Sequence, residues 1–231
     1  MNKSMKLAIA AICVLCAGVS CMQAANSKPF VIPEIESWTA GEGSVRLSGR
    51  IVVKSEKLGA VAAALADDYR TMFGREMVVA KGKAKTGDVV LQLSKDKTLG
   101  SEGYRMTVGE NITISAPTQT GAYWATRTLL QISEQTASHE LPCGEIVDKP
   151  QYALRGFMID CGRKYIPMSY LRNLVKVMAY YKMNALQIHL NDNGFRQFFG
   201  NDWMQTYSAF RLECDTYPGL TAKDGHYSKQ E

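Results

Sequence analysis

Two hydrophobic periods alternate along the chain, and the switches between them mark its elements. Residues 45–54 alternate well enough for a strand, with Val45, Leu47, Ile51 and Val53 among the apolar positions. From Leu58 the spacing lengthens: Leu58, Val61, Ala62, Leu65, Tyr69, Met72 and Phe73 recur at i, i+3, i+4, i+7, which predicts one buried face of a helix that Gly74 terminates. Short strands are predicted at 77–80 and 89–93. Residues 104–108 and 112–115 flank Gly109-Glu110-Asn111 and read as a hairpin, after which a second helix runs over 120–132. Together these elements predict an α+β domain at 30–135 with a small, partly antiparallel sheet. No catalytic constellation stands out in it. Tyr123 and Trp124 on the second helix read as core rather than as a sugar-stacking pair, and Lys81, Lys83 and Lys85 as a solvated turn.

Neither period is sustained from 136 to 151, a polar stretch with two prolines that predicts a linker or inter-domain strand and an exposed His139. Beyond it the pattern becomes continuous. Arg155-Gly156 leads into Phe157-Met158-Ile159, an apolar run expected of a strand covered on both faces, and Asp160 closes it. A helix begins near Pro167, with Leu171, Leu174, Val175, Met178 and Tyr181 as its expected buried stripe. Residues 184–190 form a second strand that ends in Asn191-Asp192-Asn193. Strand, helix and strand in succession predict a parallel pair with a right-handed crossover. Ligand chemistry in such folds is built where strands end, so Arg163 and Asp192 are expected at one shared pocket.

Composition narrows the classes. A chain of 231 residues with 46% hydrophobic content can bury one or two cores, and a net charge of +5 from scattered Lys and Arg does not make a nucleic-acid stripe. Residues 1–25 read as a targeting signal: Lys3 and Lys6 precede the apolar run 7–17, which is too short to span a bilayer. Export to the periplasm or outer membrane of a bacterium is therefore expected. Gly18-Val19-Ser20-Cys21 resembles a lipoprotein cleavage site, with lipid attached at Cys21; ordinary cleavage near Ala24 or Ala25 is the alternative. Removing the signal leaves Cys143, Cys161 and Cys214 in the folded body, which is no disulfide framework. His189 and Asp192, at i and i+3, supply two metal ligands without a third, so no metal site is expected.

The second region carries a resemblance. Arg155-Gly156, Asp160, Arg163, Pro167, Ala179-Tyr180, Lys182, Asn184 and His189-Leu190-Asn191-Asp192 resemble the opening of the catalytic barrel of family 20 glycoside hydrolases, the β-N-acetylhexosaminidases. Upstream, Gly100-Ser101-Glu102-Gly103-Tyr104, Ile112-Thr113-Ile114, Gly121-Ala122-Tyr123 and Leu129-Leu130-Gln131 resemble that family's non-catalytic α+β domain. The resemblance covers nearly the whole chain after the signal, in the family's order. It implies that 152–231 begins a (β/α)8 TIM barrel and supplies its first two βα units.

In the family, the arginine at position 163 grips sugar hydroxyls, a task suited to a planar fork that stays charged. The aspartate at position 192 belongs to a charge network that sets the protonation of the catalytic acid. His189 reads first as a hydrogen-bonded core residue, and with Asn193 it is a candidate supporting residue. Lys164 stands where relatives usually carry histidine, and Asn193 where many carry a second aspartate. The implied mechanism is substrate-assisted and needs no metal or organic cofactor: the sugar's acetamido oxygen attacks the anomeric carbon, while an adjacent Asp-Glu pair orients it and protonates the leaving group. No Asp-Glu dipeptide occurs in the sequence, so no catalytic residue is assigned within it. The chain is expected to be the amino-terminal part of a longer exo-enzyme that acts on glycans with terminal N-acetylhexosamine, and to be inactive alone. A non-catalytic glycan-binding lipoprotein is the alternative, and a metal-dependent barrel hydrolase a third class.

Overall fold

The computed structural model describes residues 24–192, 210–217, 219 and 221–231. Cys21, Asn193 and nearly all of the signal lie outside the described residues. In chain order the strands are β1 (Ser37–Arg46), β2 (Arg50–Val53), β3 (Val78–Ala80), β4 (Val89–Leu93), β5 (Tyr104–Val108), β6 (Ile112–Ala116), β7 (Glu140–Asp148), β8 (Gly156–Asp160) and β9 (Ala185–His189). The helices are α1 (Gly59–Phe73), α2 (Gln119–Glu134) and α3 (Met168–Tyr180).

Strands β1 to β7 form one mixed sheet in the order β1-β7-β5-β6-β4-β2-β3. Its β1, β7, β5 and β6 neighbours run antiparallel, whereas β6, β4, β2 and β3 are mutually parallel. Along β5, Tyr104, Met106 and Val108 are buried while Arg105 and Thr107 are not; β6 repeats this with Ile112, Ile114 and Ala116. That alternation is the mark of a sheet covered on one face. The cover comes from α1 and α2, which pack on each other and on the sheet. Gly74 caps α1 in a left-handed conformation, as its place after Phe73 predicts. Most of α2 is buried, because the sheet lies on one side and the 30–32 segment and α3 on the other. Gln131 serves that second side: its amide donates to the carbonyls of Ile32 (2.8 Å) and Tyr180 (2.9 Å) and accepts from the Ile32 N–H (2.8 Å). Tyr123 and Trp124 pack against the same core.

The structure corrects three sequence expectations. The single strand at 45–54 is two: Gly49, with φ of 82°, turns the chain so that β1 and β2 lie in separate parts of the sheet. The linker at 136–151 contains β7, which pairs with both β1 and β5, so the sheet extends to Asp148. His139 is buried, with its ring against Phe73 and Tyr69.

β8 and β9 form a separate parallel pair, with Phe157 opposite Leu186 and Asp160 opposite His189. In α3, Leu171 and Met178 are buried and Leu174 packs beside Leu171, but Val175 and Tyr181 are exposed. The expected stripe is wider than the surface that the described residues offer it. Phe157, Met158 and Ile188 also stand exposed.

The two parts meet at the amino ends of β8 and β9. Lys182, held at φ of 58°, sends its ammonium to Asp148 Oδ2 (2.9 Å) and the Tyr104 hydroxyl (3.1 Å), and that hydroxyl donates to Asp148 Oδ2 (2.7 Å). Burial pushes the Lys182 pKa down, against the pull of Asp148. Arg155 pairs with Glu102, which also accepts from the Trp124 indole (2.8 Å), and donates through Nε to the Lys182 carbonyl (2.7 Å). These residues line a cavity of about 290 Å³.

Candidate functional site

At the other end of the same strands a second polar cluster forms, and the chain builds it from short pieces. The Cys161 and Gly162 N–H groups both donate to the His189 carbonyl (3.0 and 2.9 Å), which carries the loop after β8 across the end of β9. Glycine is required at 162 because a Cβ there would lie 2.8 Å from the Asn191 carbonyl carbon and the Asp192 nitrogen. With the loop so seated, the Arg163 N–H donates to Asp160 Oδ1 (3.0 Å) and its Nη1 to Asp160 Oδ2 (2.7 Å). Nη2 of the same guanidinium lies 2.8 Å from Asp192 Oδ2, which also meets His189 Nε2 at 2.7 Å.

One carboxylate oxygen is therefore shared by a guanidinium and an imidazole. Burial alone would raise the Asp160 carboxyl, but the hydrogen bonds and charge of Arg163, with His189 adding its charge, hold it below the usual carboxylate range. The Asp160 hydrogen bond in turn raises the Arg163 pKa, with Asp192 adding to the effect. Arg163 remains charged at any working pH, with its planar fork fixed from two sides and about a third of the side chain open to solvent. Such a cluster can hold adjacent oxygen atoms of a polar ligand and pass a charge change from one carboxylate toward its neighbours.

Arg163 and Asp192, both expected here, are thus brought together by direct contact. His189, expected first as a core residue, is hydrogen-bonded in the cluster with its side chain 40% exposed. Asn193 lies outside the described residues. Sequence reasoning missed Asp160 as a site residue; its signal is the Asp-x-x-Arg spacing that lets a carboxylate receive both the backbone and the side chain of the residue three positions on. It also missed Arg211, whose partners are distant in sequence. Among the described residues no group of three or more His, Cys, Asp and Glu side chains is placed to hold a metal ion.

A guanidinium, two carboxylates and an imidazole at the carboxyl ends of adjacent parallel strands define a polar-ligand site of the parallel α/β class. Comparison with known proteins gives that class a family. Residues 28–149 match the model for glycosyl hydrolase family 20, domain 2, and residues 152–231 match the model for the family's catalytic domain. The chain belongs to glycoside hydrolase family 20.

A β-hexosaminidase of Akkermansia muciniphila is 36% identical over 147 residues, covering 61% of this chain and 30% of that protein. One from Porphyromonas gingivalis is 26% identical over 234 residues, covering 92% of this chain and 28% of the relative. The solved structure of the family 20 β-N-acetylhexosaminidase of Streptomyces coelicolor A3(2) superposes with a TM-score of 0.73 at 26% identity, over 90% of this chain and 43% of that one. The chain thus spans less than half the length of each of these proteins.

Proposed function

We propose that the full-length protein is an exported exo-β-N-acetylhexosaminidase that removes terminal β-linked N-acetylglucosamine or N-acetylgalactosamine with retention, by the substrate-assisted route. On this reading residues 152–231 are the first two βα units of a (β/α)8 barrel, and the cluster at the ends of β8 and β9 is one side of the sugar subsite. The observation that carries the reading is the shared Asp192 oxygen, which aligns Arg163 and His189 at the strand ends. Arg163 then grips sugar hydroxyls through its fixed fork. Asp192, bridging to His189, passes charge toward the proton donor. That donor and the acetamide-orienting carboxylate are an adjacent Asp-Glu pair, which these 231 residues do not contain. On their own, residues 1–231 would therefore hold part of the sugar without cleaving it. Lipid attachment at Cys21 would place the enzyme at a membrane surface.

The test is an assay of the complete coding region on a chromogenic β-N-acetylglucosaminide, with Arg163→Ala beside it. Two charge-assisted hydrogen bonds at ~1.5–3 kcal/mol each predict a loss of roughly 100-fold or more in kcat/KM. A full-length protein without hexosaminidase activity, or an Arg163→Ala variant with unchanged kinetics, would count against the proposal.

A further inference from the structure

Arg211 is 1% exposed, and every donor of its guanidinium is engaged. Nε donates to the Cys161 carbonyl (2.7 Å), Nη1 to the Gly225 carbonyl (2.8 Å) and to the Asp224 carboxylate, and Nη2 to the Gly162 carbonyl (3.2 Å) and Asp224 Oδ2 (3.2 Å). A guanidinium has five N–H bonds in a rigid fork, and here five acceptors meet them. None is left over for a ligand, so this arginine is a clamp. What it clamps is specific: Cys161 and Gly162 are the two residues immediately before Arg163. The Arg211 backbone reaches the other strand end as well, donating its N–H to the Leu190 carbonyl (3.1 Å) and accepting from the Tyr227 N–H (2.6 Å). The Tyr227 hydroxyl closes the arrangement on the Ile166 carbonyl (2.6 Å).

We propose that Arg211 is a positioning residue for Arg163: by fixing the 161–162 carbonyls against the end of β9, it holds the Arg163 fork between Asp160 and Asp192 in the orientation that binds sugar. The inference rests on Arg163 being the sugar-gripping residue of the proposed function. Lysine at 211 would keep the charge, but three donors at a single point cannot reach three carbonyls and a carboxylate spread around a planar fork.

A double-mutant cycle in the full-length enzyme tests it, because a clamp that acts through Arg163 should have nothing left to act on once Arg163 is gone. Arg211→Lys is expected to raise KM for a chromogenic N-acetylglucosaminide and lower kcat/KM by about tenfold or more when Arg163 is present, since small misplacements of a binding group cost factors of this order. In an Arg163→Ala background the same substitution should change kcat/KM by less than about twofold. Equal losses in both backgrounds, or an Arg211→Lys enzyme that matches wild type, overturn the inference. If Arg211→Lys yields no soluble protein, Asp224→Asn, which leaves the arginine in place and removes its anionic partner, goes through the same cycle with the same criteria. An inactive wild type removes the proposed function and this inference together; an active one with independent effects removes the inference alone.

Discussion

His139 sits at φ of 54° with its ring 4.7 Å from Phe73 and 5.7 Å from Tyr69, and its Nδ1 meets no hydrogen-bond partner. Burial, then the charges of Arg75 and Arg46, push its pKa below the ordinary histidine value. As pH falls, the unfolded chain takes up this proton before the folded one does. The stabilisation is therefore complete above a pH of about 6.5 and is lost as pH drops through the folded-state pKa. Urea midpoints measured from pH 7.5 down to 5 should fall further for wild type than for His139→Asn, a residue that tolerates the left-handed backbone and does not titrate. Parallel curves would refute this. At this scale Arg163 and Asp192 were legible because each stands within a few residues of a strand end that the pattern marks. Arg211 was not, since its meaning lies in carbonyls 49 and 50 residues away.

Elements were legible where one buried face imposes a period, as in α1, β5 and β6. β1 and β7 escaped because neither carries a regular one. Pro142 and Gly144 lie within β7, and proline normally argues against a central strand. The structure accommodates it because β5 reaches only to Gly144, so Pro142 pairs with β1 alone. The motif glycines have a reason at the same scale. A Cβ on Gly121, in the first turn of α2, would stand 2.3 Å from the Gly103 carbonyl oxygen. Alanine for glycine within a helix ordinarily gains ~0.5–1 kcal/mol. Here the close approach reverses the sign, and Gly121→Ala is expected to lose roughly 1–3 kcal/mol on thermal unfolding. A stabilised variant would show that the loop at 103 can yield.

Across the whole molecule the large core is confined to the sheet domain: every fully buried member lies between Val31 and Ile146. The second cluster is built on Cys161, Leu171 and Tyr227. Residues 24–149 should therefore fold alone and unfold in a single cooperative urea transition, whereas a broad, non-cooperative loss of structure would mean that the βα unit completes the core. Separation does strand partners at the junction: Glu102 loses the guanidinium of Arg155, and Asp148 loses the ammonium of Lys182. The latter bond bears on how such proteins are inherited. A recombination event that gave the 152–231 unit a different amino-terminal neighbour would bury a lysine with no anion to receive it, and one that gave the sheet a different successor would orphan the aspartate. Lys182 and Asp148 thus make the two domains poor candidates for independent shuffling, and across relatives they should be gained, lost or exchanged as a pair.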